Sequence, residues 1–159
     1  MRNLHKYMTM IKLALYFLLS LATFPFAFGQ GAKAPTRQNQ AIYDLIDAYS
    51  RARENQDTTL LRSILTADVD QLVSTGEWRD GIESSLAGMV RSTASNPGGT
   101  RTLKVERLRF IGPKSAIADA RYVIENPDGT KREMWSTFVV ANVKGKWLIT
   151  AIRNMLPAK

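Results

Sequence analysis

The stretch from residue 115 to residue 156 limits the fold more than any other part of the chain. It contains three runs of alternating β-branched, aromatic and small residues, separated by two turn signals. In the first turn, residues 126–129, Pro127 presets φ and Gly129 tolerates the positive φ that reverses the chain. In the second, Gly145 lies between two lysines. The pattern predicts an antiparallel meander of three strands.

The first strand of this meander has two unlike faces. One face is small and apolar, and consists of Ala116, Ala118, Ala120, Tyr122 and Ile124. The other face carries Asp119 and Arg121 together with Ile117 and Val123. A sheet face made of small residues can accept another element at close range. Alternation assigns residues to a face, but it leaves open which face lies inside.

The residues before the meander predict three helices and two strands. A helix over residues 39–55 follows from apolar residues at helical spacing, namely Ile42, Leu45, Ile46, Tyr49 and Ala52. Asp57 and Asp80 are the expected N-caps of a second and a third helix, and the inward residues of the third include Val90. Strands are expected at 69–74 and 102–111, with a loop at 75–79 and a bulge near Glu106, where the apolar phase changes. This order predicts an α+β fold, with helices on one side of a curved antiparallel sheet.

The N-terminus resembles an export signal. Arg2, Lys6 and Lys12 precede an apolar run over residues 13–28, and small residues stand at the positions that determine cleavage. We expect cleavage before Gln30, a flexible leader over residues 30–38 and one domain over residues 39–156. An uncleaved anchor is the alternative, although the run is shorter than the roughly 20 apolar residues of a membrane-spanning helix. The expected location is periplasmic or secreted, without a stable membrane anchor after cleavage.

The composition of the mature chain excludes several kinds of chemistry. Residues 1–29 contain three of the 22 basic residues and none of the 14 acidic ones, so the mature net charge is +5. They also contain the one histidine, His5, and the chain has no cysteine. Imidazole and thiol mechanisms and the usual zinc sites are therefore excluded, and we expect no metal and no cofactor. The basic residues form no long cluster, which disfavours nucleic-acid binding.

Several segments together resemble a known family. The residues at 42–49, Asp57, 63–70, 76–81 and 145–154 resemble the nuclear transport factor 2-like (NTF2-like) superfamily, and the SnoaL-like and SgcJ/EcaC-like branch is the most similar. The resemblance covers residues 39–156. It implies a cone in which three helices close a curved sheet around a pocket, and it implies a homodimer formed through the sheet.

The resemblance does not determine an activity, because this superfamily holds isomerases, cyclases, dehydratases and proteins that only bind. Its ketosteroid isomerase branch uses a tyrosine, a general-base carboxylate and a protonated carboxylic acid. The resemblance aligns Tyr49 with the tyrosine but puts Val73 and Ser136 at the two acid positions. An isomerase or cyclase with a carboxylate base therefore remains an alternative that lacks two of its three groups.

The candidate site residues fall into two groups. The candidate catalytic acids are Asp68, Asp70 and Asp119. The candidate ligand-binding residues are Tyr49, Trp78, Arg121, Tyr122, Trp135 and Arg153. Carboxylates can share acid and base roles or cap turns, and aromatic residues can wall a pocket or fill a core. An arginine that faces a cavity could hold a carboxylate, whereas an outward one would form ordinary ion pairs.

These observations lead to one functional hypothesis with an alternative. The first is an exported protein whose apolar pocket binds or converts a small hydrophobic molecule. The alternative is a dimeric interaction module whose cavity is filled by its own side chains. A cavity below about 300 Å³ would fall outside the usual range for ligand pockets and would favour the interaction module.

The export hypothesis makes a direct prediction. The protein recovered from the envelope or the medium of its host should begin at or near Gln30, because the charged start, apolar run and small residues direct cleavage there. N-terminal sequencing measures this. Retention of Met1 in exported material would contradict the prediction.

Overall fold

The structure is a computed structural model that describes residues 36–95 and 97–157. Its elements are α1 (Arg37–Glu54), α2 (Thr58–Ile64), β1 (Leu65–Leu72), β2 (Trp78–Asp80), α3 (Gly81–Ala94), β3 (Thr100–Gly112), β4 (Ser115–Glu125), β5 (Lys131–Val143) and β6 (Lys146–Met155). The predicted signal peptide and residues 30–35 of the leader lie outside the described residues. Within the described residues, every helix is too short or too polar to cross a membrane.

The six strands form one sheet in the order β2-β1-β6-β5-β4-β3. Helices pack against this curved sheet, so the α+β prediction is confirmed. Four neighbouring pairs are antiparallel, as predicted, but β1 and β6 run parallel. The sequence pattern could not reveal the parallel pair, because β1 and β6 are not joined by a turn. The two strands lie far apart in the chain, and they come together only when the intervening helices and strands have folded.

The meander forms as the turn signals predict. Residues Lys144 and Gly145 have φ of 52° and 88°, the two positive values that suit a tight hairpin between twisted strands. Gly129 has φ of 82° in the other turn. The predicted bulge in β3 is also confirmed, because pairing with β4 skips a residue between Val105 and Arg107.

The helix ends differ in part from the prediction. α1 begins at Arg37, inside the predicted leader, because the Thr36 hydroxyl accepts a 3.2 Å hydrogen bond from the Asn39 amide. Asp57 caps α2 as predicted, with 2.8 Å from its Oδ1 to the Leu60 amide. The Asp80 side chain makes no capping hydrogen bond to α3.

Two further expectations for this region need correction. Residues 78–80 were expected to be mainly loop, but they form β2, because their backbone pairs with β1. Val90 was expected to point inward from α3, and it is 38% exposed. The helical phase places it beside the buried stripe, where its side chain is only partly covered.

The small face of β4 is the inner face of the sheet, because α1 packs on the same side. Ala116, Ala118 and Ala120 are fully buried. The ring of Tyr49 on α1 meets Phe138 of β5 edge-on, with 5.2 Å between ring centroids. The face that carries Asp119 and Arg121 is therefore the outer face, turned away from the helices.

One arginine lies in the interior between β2 and α3. Arg79 is 6% exposed. Its Nε and Nη2 atoms donate to the two carboxylate oxygens of Glu77, at 2.9 and 3.3 Å, and Nη1 donates to Gln71 Oε1 at 3.3 Å. A Cβ added at Gly88 would lie 2.2 Å from Arg79 Nε. Gly88 of α3 thus provides the space in which the guanidinium lies.

We expect Gly88→Ala to destabilise the protein by about 1–3 kcal/mol. The new methyl group must displace a buried, hydrogen-bonded guanidinium, and this cost exceeds the gain of about 1 kcal/mol from helix propensity. Chemical denaturation of both proteins measures the free energy of unfolding. The control is Ser84→Ala at an exposed position of α3, which should leave stability within about 0.5 kcal/mol. A Gly88→Ala protein as stable as the control would contradict the packing.

Candidate functional site

A pocket of about 210 Å³ opens at the end of the sheet where β4 ends and β5 begins. We call it the arginine pocket. It lies between the last turn of α1, the connection from β1 to β2, the end of α3 and the inner face of the sheet. Its lining consists of Arg53, Gln71, Val73, Ser74, Thr75, Glu77, Arg79, Ser92, Ser95, Tyr122, Ile124, Arg132, Met134 and Asn154.

Arg53 is one of two deeply buried cations in the pocket lining, together with Arg79. It lies in the last turn of α1 and is 5% exposed. Its Nη1 atom donates a 3.0 Å hydrogen bond to the Tyr49 hydroxyl oxygen, and its buried Nε atom has no hydrogen-bond partner among the described residues. No carboxylate forms an ion pair with Arg53 there. The pocket wall therefore holds a buried positive charge that is incompletely compensated.

Two tyrosines surround this charge. Burial acts to lower the pKa of Arg53, but the oxygens of Tyr49 and Tyr122 outweigh that effect and raise it, so the guanidinium remains charged. Burial raises the pKa of the Tyr122 hydroxyl, and the charge of Arg53 opposes that rise only in part. Tyr122 is therefore a neutral phenol near pH 7, able to donate a hydrogen bond in the pocket.

Among the described residues, the lining contains one carboxylate, Glu77. Hydrogen bonds from Arg79, together with the charge of that arginine, lower the pKa of Glu77 below its usual value. A carboxylate with a lowered pKa is a weaker base than an ordinary one. Glu77 therefore serves to hold Arg79 in place and is poorly suited to accept a proton from a substrate.

The arginine pocket is polar and carries an excess of positive charge. Arg53, Arg79 and Arg132 face one carboxylate, and Arg132 Nη2 also donates to Ser74 Oγ at 2.6 Å. Only three lining residues are apolar, namely Val73, Ile124 and Met134. The expectation of an apolar pocket is wrong for this cavity, because polar residues of the β1–β2 connection and of α3 form one side of it. Its volume of about 210 Å³ is also below the limit of about 300 Å³, which favours the interaction module and leaves room only for a molecule smaller than the usual ligand.

One of the residues predicted for the site lines the pocket, and that residue is Tyr122. Tyr49 lies beneath it in the core, with 2% exposure, and holds Arg53. Asp68 is exposed on β1. The other six lie on the outer face: Asp70, Trp78, Asp119, Arg121, Trp135 and Arg153.

Five of the six outer-face residues contact another member of the set, and Asp119 contacts Thr137. The Arg121 guanidinium lies 4.0 Å from the centre of the Trp135 ring, and that of Arg153 lies 4.8 Å from the centre of the Trp78 ring. Arg153 also forms an ion pair with Asp70. Asp119 accepts a 2.7 Å hydrogen bond from Thr137. The structure therefore separates these residues from Tyr122 by the thickness of the sheet.

Sequence analysis missed Arg53 and Arg79. Arg53 follows Tyr49 by four residues and Ile46 by seven, which is the spacing of the buried stripe, so helical periodicity alone could have indicated it. Arg79 had no such signal, because its burial depends on the pairing of β2 with β1 and on Gly88 of α3.

The groups of an isomerase and of a metal site are not found together in the described part of the chain. Val73 lines the pocket as an apolar residue, and Ser136 is buried with its hydroxyl donating to Asn154 Oδ1 at 2.7 Å. Neither position supplies a carboxylic acid. No group of three or more histidine, aspartate or glutamate side chains within residues 36–95 and 97–157 is arranged to hold a metal ion.

No protein-family profile matches the chain, and no curated protein matches it in sequence. Solved structures do resemble it. A cystatin-like domain of unknown function from Nostoc punctiforme is 16% identical, with a TM-score of 0.69, 79% of this chain covered and 81% of that one. An NTF2-like protein of unknown function from Shewanella oneidensis is 15% identical, with a TM-score of 0.64 and coverage of 74% and 98%.

A third similar structure, from Shewanella frigidimarina, is named as a candidate ketosteroid isomerase. It is 19% identical, with a TM-score of 0.63 and coverage of 72% of this chain and 94% of that one. At such identities the likeness establishes the fold, and it does not transfer an activity. The chain therefore has the NTF2-like, cystatin-like fold.

Proposed function

We propose that this protein binds a small molecule that carries a carboxylate group, and that the arginine pocket is its binding site. The observation that carries the proposal is Arg53, a guanidinium in the pocket wall that is 5% exposed and forms no ion pair with a carboxylate within residues 36–95 and 97–157. A bound carboxylate would compensate this charge. Arginine suits the role, because its planar fork matches the two oxygens of a carboxylate.

The neighbours of Arg53 support an anionic ligand. Tyr122 offers a neutral hydroxyl donor, and Arg132 adds a further cation to the lining. Arg79 donates hydrogen bonds to Glu77 and Gln71, so these N–H groups are not free to bind a ligand. Arg79 therefore contributes mainly positive charge to the pocket. Since the volume is about 210 Å³, the ligand is smaller than a drug-sized molecule.

The pocket favours binding over acid–base catalysis. Its one described carboxylate, Glu77, has a lowered pKa and is engaged by Arg79. A general base that works near neutral pH needs a raised carboxylate pKa or an imidazole. We therefore propose a binding protein, exported to the periplasm or the medium, in place of the isomerase or cyclase alternative.

We expect Arg53→Met to weaken the binding of a small carboxylate by roughly 10-fold to 100-fold. A hydrogen bond to a charged group contributes about 1.5–3 kcal/mol, and methionine keeps much of the apolar volume while it removes the charge. Isothermal titration with a panel of short monocarboxylates and dicarboxylates measures the affinity. The matched control is Arg62→Met, which removes an exposed arginine paired with Glu83 on a distant surface.

The control should bind as the unchanged protein does, and the amide analogue of the best carboxylate should bind weakly to every variant. Melting temperatures of both variants identify any loss of folding. If the folded Arg53→Met protein binds each carboxylate as tightly as the Arg62→Met protein does, the pocket is not the binding site. If no carboxylate binds the unchanged protein at millimolar concentration, the proposed ligand class is wrong.

A second function, self-association through the outer face, has its own support. Trp78 and Met155 are 52% and 49% exposed on this face, and the half-buried Trp135, Ile117 and Val139 adjoin them. Exposed aromatic and apolar residues on one sheet face are typical of protein interfaces. We propose that two copies of the chain pack face to face here, which also agrees with a cavity too small for a large ligand.

We expect Val139→Glu to shift a dimer to a monomer. Val139 lies on β5 near the centre of the sheet, where a carboxylate would be buried without a partner in the dimer. Sedimentation velocity over a range of protein concentrations measures the association. Val90→Glu on α3 is the matched control, because it makes the same change at a position exposed on the helix side. A protein that remains monomeric at high concentration would contradict the dimer, as would a Val139→Glu variant that remains dimeric.

A further inference from the structure

The β3–β4 and β5–β6 turns form one joined surface. We call it the hairpin tip, and it comprises residues 109–114 and 143–146. The Asn142 amide donates a 2.8 Å hydrogen bond to the Lys114 carbonyl oxygen, which fastens one turn to the other. The Gly145 amide donates to Asn142 Oδ1 at 3.0 Å. The tip is therefore a fixed surface formed by two adjacent turns.

Large apolar side chains are exposed on the hairpin tip. Ile111 is 50% exposed, Val143 43% and Phe110 36%. Phe110 rests edge-on against Trp147, with 6.1 Å between ring centroids, so its ring is supported from beneath. Isolated exposed apolar residues need no explanation, but three of them at the adjoining ends of β3 and β5 indicate a region that contacts something apolar.

The same surface is strongly basic. Arg109, Lys114, Lys144 and Lys146 are all exposed, and neither segment of the tip contains an acidic residue. Lys146 Nζ donates to the Ser63 carbonyl oxygen at 2.7 Å, which holds its charge where the tip meets α2. Apolar side chains surrounded by cations, without acids among them, match the interface of an anionic lipid bilayer, where acyl chains lie beneath negative headgroups.

The direction of α1 shows that the hairpin tip and the arginine pocket lie toward opposite ends of this helix. Arg53, near the end of α1, lines the arginine pocket, whereas Tyr49 one turn earlier packs against Phe138, farther along β5 from the pocket. α1 therefore runs from the tip end toward the pocket end, over about 27 Å for its 18 residues.

We infer that the hairpin tip docks the protein onto the surface of an anionic phospholipid bilayer. Ile111, Val143 and Phe110 enter the headgroup region, while the lysines contact the lipid phosphates. Each lysine near such a surface contributes about 1 kcal/mol, which is roughly a fivefold change in partitioning. The inference is independent of the arginine pocket, which lies at the other end of β4, about 30 Å away for a strand of 11 residues.

Because the sequence contains no cysteine, a single introduced cysteine can be labelled with a fluorophore, and the environment of that one position can be measured. In the full chain, Ile111→Cys carries a polarity-sensitive fluorophore at the tip, and Pro127→Cys carries the same fluorophore in the β4–β5 turn at the opposite end. Each protein is titrated with vesicles of phosphatidylglycerol and phosphatidylcholine, and separately with phosphatidylcholine alone. We expect a blue shift with anionic vesicles at Ile111→Cys and none at Pro127→Cys.

Charge reversal separates docking by the tip from any other contact with lipid. Lys114→Glu with Lys144→Glu should weaken the response at Ile111→Cys by at least 25-fold in lipid concentration, and 0.5 M salt should weaken it as well. The matched control, Lys104→Glu with Lys131→Glu, changes the same charge away from the tip. Carboxylate binding in the arginine pocket should be unchanged in both pairs, so the two proposals can fail separately.

Three outcomes would overturn the inference. The first is an equal blue shift at both labelled positions, and the second is a shift that survives reversal of the tip lysines. The third is a shift that grows with protein concentration in the absence of vesicles, which would assign the tip to contact with a second copy of the chain.

Discussion

The packing of α1 across the inner face of the sheet is the interaction on which the rest of the structure depends. Ala116, Ala118 and Ala120 add only methyl groups to this face, and all three are fully buried in the core to which α1 contributes. This contact decides which face of the sheet is inside. It also brings Arg53, at the end of α1, beside Tyr122 on β4, and so creates the wall of the arginine pocket.

The two buried arginines of this pocket differ in how their positive charge is compensated. Arg79 meets a carboxylate with two of its nitrogens and an amide oxygen with the third, so its charge is compensated within the protein. Within the part of the chain that the structure describes, Arg53 donates a hydrogen bond to the Tyr49 hydroxyl oxygen, and its Nε atom has no partner. Burying an unpaired charge is costly, so the second arrangement is easier to explain as a binding site than as a structural contribution.

The strands of the meander separate the proposed activities in space. One end of β4 and β5 borders the arginine pocket, the other end forms the hairpin tip, and the outer face between them carries the aromatic and ionic contacts. Ligand binding, docking on lipid and self-association would therefore use different surfaces. The protein could therefore bind a ligand, dock on lipid and self-associate at the same time.

Local sequence patterns determined the meander, its two turns, the bulge in β3 and the inward stripe of α1, because each depends on residues close together in the chain. They also identified Tyr122, although not its role beside Arg53. Only the tertiary structure decided that β1 lies parallel to β6, that Asp119, Arg121 and Arg153 face outward, and that Arg79 lies under Gly88. Alternation assigns the residues of a strand to two faces but does not show which face is buried. The buried face is decided only when a helix from a distant part of the chain covers it.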